Sequence, residues 1–346
     1  MKTDKISTEY REAGAVMQKI VRPLVDWYKK NARTFPWREN ITPYKVWVSE
    51  IMLQQTRIEA ARGYFVRFMD AFPTVQDLAN ADIEQVLKLW EGLGYYSRAR
   101  NLHKCARLIC NEYGGKFPEN ATELRKLPGI GDYTAGAVAS IAFGKPEPAV
   151  DGNVLRVYAR LNRCADNMGD NAVKNRIREE LRAMYPTGEC AEFTSALMEL
   201  GEVACTPGAP DCGACPLAEY CNAHEAGEET DYPVLPAKKA RRIENKRVFL
   251  MLCGDKCAVH KRPDKGLLAG LWELPNDENE SVPEGAEFCG ETVHVFTHVE
   301  WHMRGYILRV DKELPEYTWV TRDERLARAI PSAFRFYVSI LDKMGY

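Results

Sequence analysis

Four of the eleven cysteines crowd into one stretch, ELGEVACTPGAPDCGACPLAEYC, where Cys205, Cys212, Cys215 and Cys221 follow the spacing C-x6-C-x2-C-x5-C. No other pattern restricts the fold so tightly. An odd cysteine count argues against a disulfide framework, and four thiols this close ask for one metal centre in a reducing compartment. Spacing alone leaves zinc and iron–sulfur both open. The other seven cysteines are scattered and read as small core hydrophobes.

The rest of the composition fits such a compartment. The first residues, MKTDKISTEYREAG, are polar and charged, with no apolar core for a secretory signal. No run of about 18 apolar residues predicts a membrane span. The expectation is a cytoplasmic monomer that makes no membrane contact. A length of 346 residues allows two domains. The formal charge of -2 neither supports nor excludes a nucleic-acid partner, because a local basic face can sit beside an acidic module.

Hydrophobic periodicity divides the chain. Helical spacing is clear in Val16–Ile20–Val21–Leu24–Val25 and in Ile83–Val86–Leu87–Trp90, with Asp77 and Asp82 as caps or first-turn acids. It continues through Tyr133–Phe143, Val154–Leu161 and Val173–Met184. Residues 227–246 are rich in charge and carry Pro233 and Pro236, the texture of an exposed linker. Beyond it, RVFLMLCGDKCAVHKR and HVFTHVEWHMRGYILRV read as strands, the first broken at Gly254–Asp255, and Ile330–Met344 as a helix. The predicted architecture is an all-α domain over 1–226, a linker over 227–246 and a smaller α+β domain over 247–346.

Four strings carry candidate chemistry. In LPGIGDYTAGAVASIAFG, Gly129 and Gly131 fit a tight turn between helices, whose following N–H groups make a sequence-independent phosphate site. In AVDGNVLRVYARL, Asp151 precedes an apolar helix as an N-cap, where the helix dipole favours its anion and a low pKa. In FPWRENITPYKVWVSEIMLQQTR, Glu50 lies among Trp47, Val48, Ile51, Met52 and Leu53, and desolvation there favours the protonated carboxyl. Two carboxyls in opposed environments form an acid and anion pair. In LGYYSRARNL, Tyr95 and Tyr96 beside Arg98 and Arg100 suit a base-stacking wedge and phosphate clamps.

These strings resemble one family in order. The glycine turn with Thr134 and Ala135 is similar to the helix–hairpin–helix of DNA glycosylases, and Asp151 follows it by about twenty residues, as that pattern requires. The Glu50 string resembles the MutY family almost residue for residue. The cysteine spacing, with Pro216 after the third ligand, resembles the [4Fe–4S] loop of endonuclease III and MutY proteins, and GLLAGLWELPN resembles their appended MutT-like, Nudix-fold domain. The resemblance covers roughly residues 15–345.

It implies a helical glycosylase domain with a structural [4Fe–4S] cluster on Cys205, Cys212, Cys215 and Cys221, followed by a Nudix-like α+β domain. It implies removal of adenine mispaired with 8-oxoguanine or guanine in duplex DNA. Glu50 would protonate the base, Asp151 would stabilise the sugar cation, and water would complete the hydrolysis, in parallel with glycoside hydrolysis. Tyr133 stands where strand-cleaving relatives carry a Schiff-base lysine, so base removal without lyase action is expected. Gln55 joins Tyr95 as a wedge filling the gap left by the flipped base. No acidic hydrolase string follows Glu273, so the second domain is expected to bind and not hydrolyse. Thr297 and His298, in Phe-Thr-His where the family shows Phe-Ser-His, are the expected readers of the oxidised guanine. An endonuclease III-like lyase on oxidised pyrimidines fits less well, given Tyr133, the LQQT string and the second domain. A non-catalytic, metal-stapled DNA-binding protein would not need both Glu50 and Asp151.

Overall fold

The computed structural model describes residues 18–237, 240–279 and 281–346. Val16 of the first helical pattern, the polar opening string and residues 238–239 of the linker lie outside that set. The chain forms two compact units. One comprises the described residues up to Ala79 together with Lys104–Ala237; the other comprises Asn80–His103 and the described residues from 240 onward.

The helices are α1 (Val21–Asn31), α2 (Pro43–Leu53), α3 (Ile58–Ala71), α4 (Val75–Asn80), α5 (Ile83–Leu89), α6 (Ser97–Tyr113), α7 (Ala121–Leu124), α8 (Asp132–Ala137), α9 (Gly152–Leu161), α10 (Asn171–Arg182), α11 (Cys190–Val203) and α12 (Asn222–Ala226). Their starts follow from capping chemistry. Thr42 accepts from Lys45 N at the head of α2, with Pro43 in the first turn. Asp82, Asp151 and Asp170 do the same for α5, α9 and α10. Asp77 sits in the first turn of α4 and bonds Thr74.

In the first unit, Leu24 and Val25 of α1 pack with Val154, Val157 and Leu161 of α9, Ile177 and Leu181 of α10, and Phe193, Leu197 and Leu200 of α11. The helix expected over Tyr133–Phe143 is not uniform: α8 passes into a wide π turn at Val138–Ala142. There Ser140 Oγ bonds the Gly136 carbonyl at 2.7 Å, offering the backbone an alternative partner. Gly136 itself lies against the Pro148 carbonyl, where an added Cβ would come within 2.2 Å.

The second unit is built on a mixed sheet of β1 (Arg242–Cys253), β2 (Lys256–Lys261), β3 (Trp272–Glu273), β4 (Asn276–Asp277), β5 (Glu287–Val295), β6 (Val299–Arg309) and β7 (Thr318–Val320). The order is β3-β2-β1-β6-β5, with β4 beside β1 and β7 beside β2. β1 and β6 run parallel; the other pairings are antiparallel. Gly254, with φ +58°, makes the β1–β2 turn read from the sequence.

Two helices follow, α13 (Arg322–Leu326), opened by a Thr321–Glu324 capping box, and α14 (Arg335–Met344). The helix expected from Ile330 begins only at Arg335, because Pro331 is extended and Ser332–Phe334 forms a 3-10 turn. Alternation along β1 sends Val248, Leu250 and Leu252 toward Trp301, Phe334, Tyr337 and Leu341, and Phe249 and Met251 toward Tyr306 on the other face.

Asn80–His103 is tied into this unit by polar contacts. Glu84 takes Lys261 Nζ at 2.5 Å and Trp272 Nε1 at 3.1 Å. Glu91 accepts Ile330 N at 2.9 Å, and Lys88 reaches the Arg328 carbonyl at 3.1 Å. Among the described residues no helix is long and apolar enough to cross a membrane.

Candidate active site

A cavity of about 820 Å³ in the first unit is lined by residues that include Glu50, Tyr133, Asp151 and Gln55. α2 is buried along nearly its whole length, which leaves Glu50 only 7% exposed. Burial pushes its carboxyl up to about 7, further raised by Asp151 and opposed by Tyr133 and Arg38. Tyr133, on α8, donates its phenolic hydrogen to Glu50 Oε2. Its own pKa is driven far up by burial and by the two carboxyls.

Asp151 caps α9 with Oδ1, which accepts Val154 N at 2.8 Å, while Oδ2 accepts Asn153 Nδ2 at 2.9 Å. The expected depressed pKa is not found. Burial raises it, against the pull of the Val154 and Asn153 hydrogen bonds. Desolvation inside the cavity outweighs the helix dipole there.

A second charged group, not among the residues expected from the sequence, stands in the same wall. Glu199, 2% exposed on α11, accepts Arg33 Nε at 2.6 Å and Arg38 Nη2 at 2.8 Å. Burial alone would raise its pKa, but these two guanidinium groups hold it below the ordinary carboxylate value. Arg33 also bonds Glu202 at 2.7 Å. Arg156 joins Asn153 Oδ1 at 2.8 Å to the carbonyls of Gly201 and Cys205 at 2.6 and 2.7 Å, so the Asp151 support is continuous with the cysteine loop. Glu199 lies in a run, ALMELG, as apolar as the one around Glu50, and the same desolvation logic would have found it.

The hairpin between α7 and α8 holds Gly129 at φ +76°, a conformation that favours glycine. Gly131, the other glycine of the turn, is extended at φ -90°, with open space where a Cβ would stand. Gln55 is exposed and held at φ +56°. In the second unit Tyr95 is 45% exposed at φ +46°. Left-handed backbone is costly for such side chains and gathers at functional positions.

Tyr95 Oη lies 2.5 Å from Thr297 Oγ1. Thr297 and His298 form the exposed tip between β5 and β6, closed by Phe296 N bonding the Val299 carbonyl at 2.8 Å. Arg98 is not free to clamp a phosphate. It is buried, donates to the carbonyls of Leu93 and Gly94, and covers Trp90 and Tyr95. Arg100 bonds the Ala269 carbonyl.

Cys205, Cys212, Cys215 and Cys221 line one small cavity, and Arg160 Nη1 approaches Cys205 Sγ at 3.3 Å. Four cysteines lining one cavity, with an N–H directed at one sulfur, suit a thiolate-held cluster.

The model for the HhH-GPD superfamily of base excision DNA repair proteins matches residues 48–183. The iron-sulfur binding domain of endonuclease III matches 205–221 and the NUDIX domain 247–339. Adenine DNA glycosylase of Rattus norvegicus is 32% identical over 91% of this chain and 77% of its own length. The chain belongs to the adenine DNA glycosylase family. That of Buchnera aphidicola (Schizaphis graminum) is 35% identical over 73% of both chains.

Among solved structures, a thermostable thymine-DNA glycosylase aligns with TM-score 0.55 at 28% identity, covering 63% of this chain and 99% of that one. A non-covalent endonuclease III–DNA complex aligns with TM-score 0.51 at 25% identity, covering 61% and 97%. This adenine DNA glycosylase is therefore a DNA N-glycosylase of base excision repair, with a helical endonuclease III-like fold, a Nudix-like domain and a [4Fe–4S] cluster.

Proposed function

We propose that this glycosylase removes adenine paired with 8-oxoguanine and leaves the strand intact. The observation that carries the reading is the buried Glu50 carboxyl, at about 7, joined to Tyr133 in one cavity with Asp151. Near neutral pH such a carboxyl still holds a proton that it can give to a ring nitrogen of a flipped adenine. The Tyr133 hydroxyl then stabilises the carboxylate left behind. Asp151, its oxygens fixed by Val154 N–H and Asn153, faces the sugar cation that forms as the glycosidic bond breaks.

Glu199, saturated by Arg33 and Arg38, acts as a positioning residue, while Glu202 and the guanidinium groups offer the acceptor and donors that an adenine edge requires. Tyr133 carries no amine and makes no imine, which supports base removal without lyase chemistry. Cys205, Cys212, Cys215 and Cys221 would hold the [4Fe–4S] cluster, whose role is to staple the 205–221 loop.

The 8-oxoguanine is assigned to Thr297 and His298 with Tyr95 beside them, and Gln55 to the wedge. The Thr297 hydroxyl can accept the N7 hydrogen that distinguishes 8-oxoguanine from guanine. Gly129 and Gly131 present the hairpin to a backbone phosphate. The test is mass spectrometry of the products from an A:8-oxoguanine duplex. Free adenine with an uncut abasic strand is expected; cleavage of the strand, or no base release, overturns the reading.

A further inference from the structure

We propose that a cavity of about 270 Å³ in the second unit, between the end of α5 and the α13–α14 corner, binds a phosphate group. It shares no lining residue with the active-site cavity and does not depend on the assignment of the base excised. Lys88, Arg325, Arg328 and Arg335 line it, against one carboxylate, Glu91. That carboxylate is already engaged by Lys88 Nζ and Ile330 N–H.

The arginines are incompletely partnered. Arg325 is 2% exposed and uses Nη2 on Asp342 and on the Tyr346 main-chain oxygen, while its Nε has no acceptor. Arg328 lies over the Trp272 ring and gives Nη1 to the Glu324 carbonyl at 2.6 Å, and its Nε is buried without an acceptor. Arg335 has no acidic partner among the described residues. Unpaired buried guanidinium N–H groups recur elsewhere, on Arg178 and Arg182 for example, so what distinguishes this cavity is that four cations line it against a single, already engaged carboxylate. Arg335 also opens α14, so the positive end of a ten-residue helix lies at the same wall.

Cations from three chain segments converging on one cavity match a tetrahedral phosphate oxyanion, whose oxygens accept guanidinium forks from several directions. A DNA backbone phosphate and a free phosphate or nucleotide share this chemistry.

The experiment titrates the cluster-loaded full chain with inorganic phosphate and with pyrophosphate, using chloride at equal ionic strength as control. Thermal stability and the arginine Nε–H NMR signals are read together. Saturable stabilisation and shifted Arg325 and Arg328 signals are expected with the phosphates and not with chloride. Arg328→Gln and Arg335→Ala, which leave no acidic partner stranded, should each weaken phosphate about 10-fold. An undamaged duplex that produces the same shifts and blocks the phosphate response identifies the DNA backbone as the source. A phosphate response that persists with duplex bound identifies a free phosphate or nucleotide. The proposal fails if neither phosphate nor duplex moves these signals, or if wild type and both variants respond equally.

Discussion

Tyr133 donates to Glu50 from a helix that begins directly after the Gly129–Gly131 turn, so one hydrogen bond ties that turn to the buried acid. The bond favours the carboxylate and partly offsets the burial that favours the acid. The resulting value near 7 is where a general acid works best at neutral pH.

Replacing Glu50 by Gln removes the proton and keeps an acceptor for Tyr133. Adenine release should fall by about 10²–10⁴-fold in single-turnover assays, with duplex affinity nearly unchanged.

The pH dependence has a definite sign. Glu50 donates only while protonated and Asp151 offsets a cation only while ionised, so excision should fall tenfold per unit above about pH 7 and fall again in acid as Asp151 takes up a proton. Tyr133→Phe deletes the interaction that lowers the Glu50 pKa, so the alkaline limb should move to higher pH. A limb that moves to lower pH contradicts the assignment.

The same burial weakens the fold. Glu50 titrates near 7 when folded and near 4.5 when unfolded, so its ionisation costs nothing below about pH 4.5, costs progressively more up to pH 7, and then levels off. Glu50→Gln should therefore be more stable than wild type by about 3 kcal/mol at pH 8 and indistinguishable at pH 4. Denaturant unfolding at the two pH values checks this.

Tyr133→Lys places an amine beside the sugar. Borohydride should then trap a covalent protein–DNA band that wild type does not give. The lysine would also hold Glu50 ionised, so base release should slow at neutral pH.

Thr297→Ala with His298→Ala should lose preference for 8-oxoguanine over guanine opposite adenine by roughly 5- to 150-fold, the worth of about 1–3 kcal/mol of base readout. Single-turnover rates on the two duplexes measure it. Point variants suit this question better than removal of residues 228–346, which would take from Glu84, Lys88 and Glu91 the contacts they make with Lys261, Trp272, Arg328 and Ile330.

Local chemistry was legible in the sequence where a single residue fixes it: Asp82 and Asp151 as caps, Gly254 at its turn, Glu50 in an apolar run. What escaped depended on long-range contact. Ser140 reads as part of a helix until its hydroxyl is seen to compete for the Gly136 carbonyl. Arg98 reads as a surface cation, and only the folded loop shows its guanidinium between Trp90 and two carbonyls. The Arg33–Glu199 pair joins residues 166 positions apart, a distance over which periodicity carries no information.

The placement of Asn80–His103 bears on how the molecule is made. Its partners Lys261, Trp272, Arg328 and Ile330 leave the ribosome well after it does. At about 5–20 residues per second, the wait from His103 to Ile330 is on the order of 10–45 s. During synthesis the segment is a vacant berth, and a chain cut short before β1 would carry the whole catalytic cavity with that berth never filled.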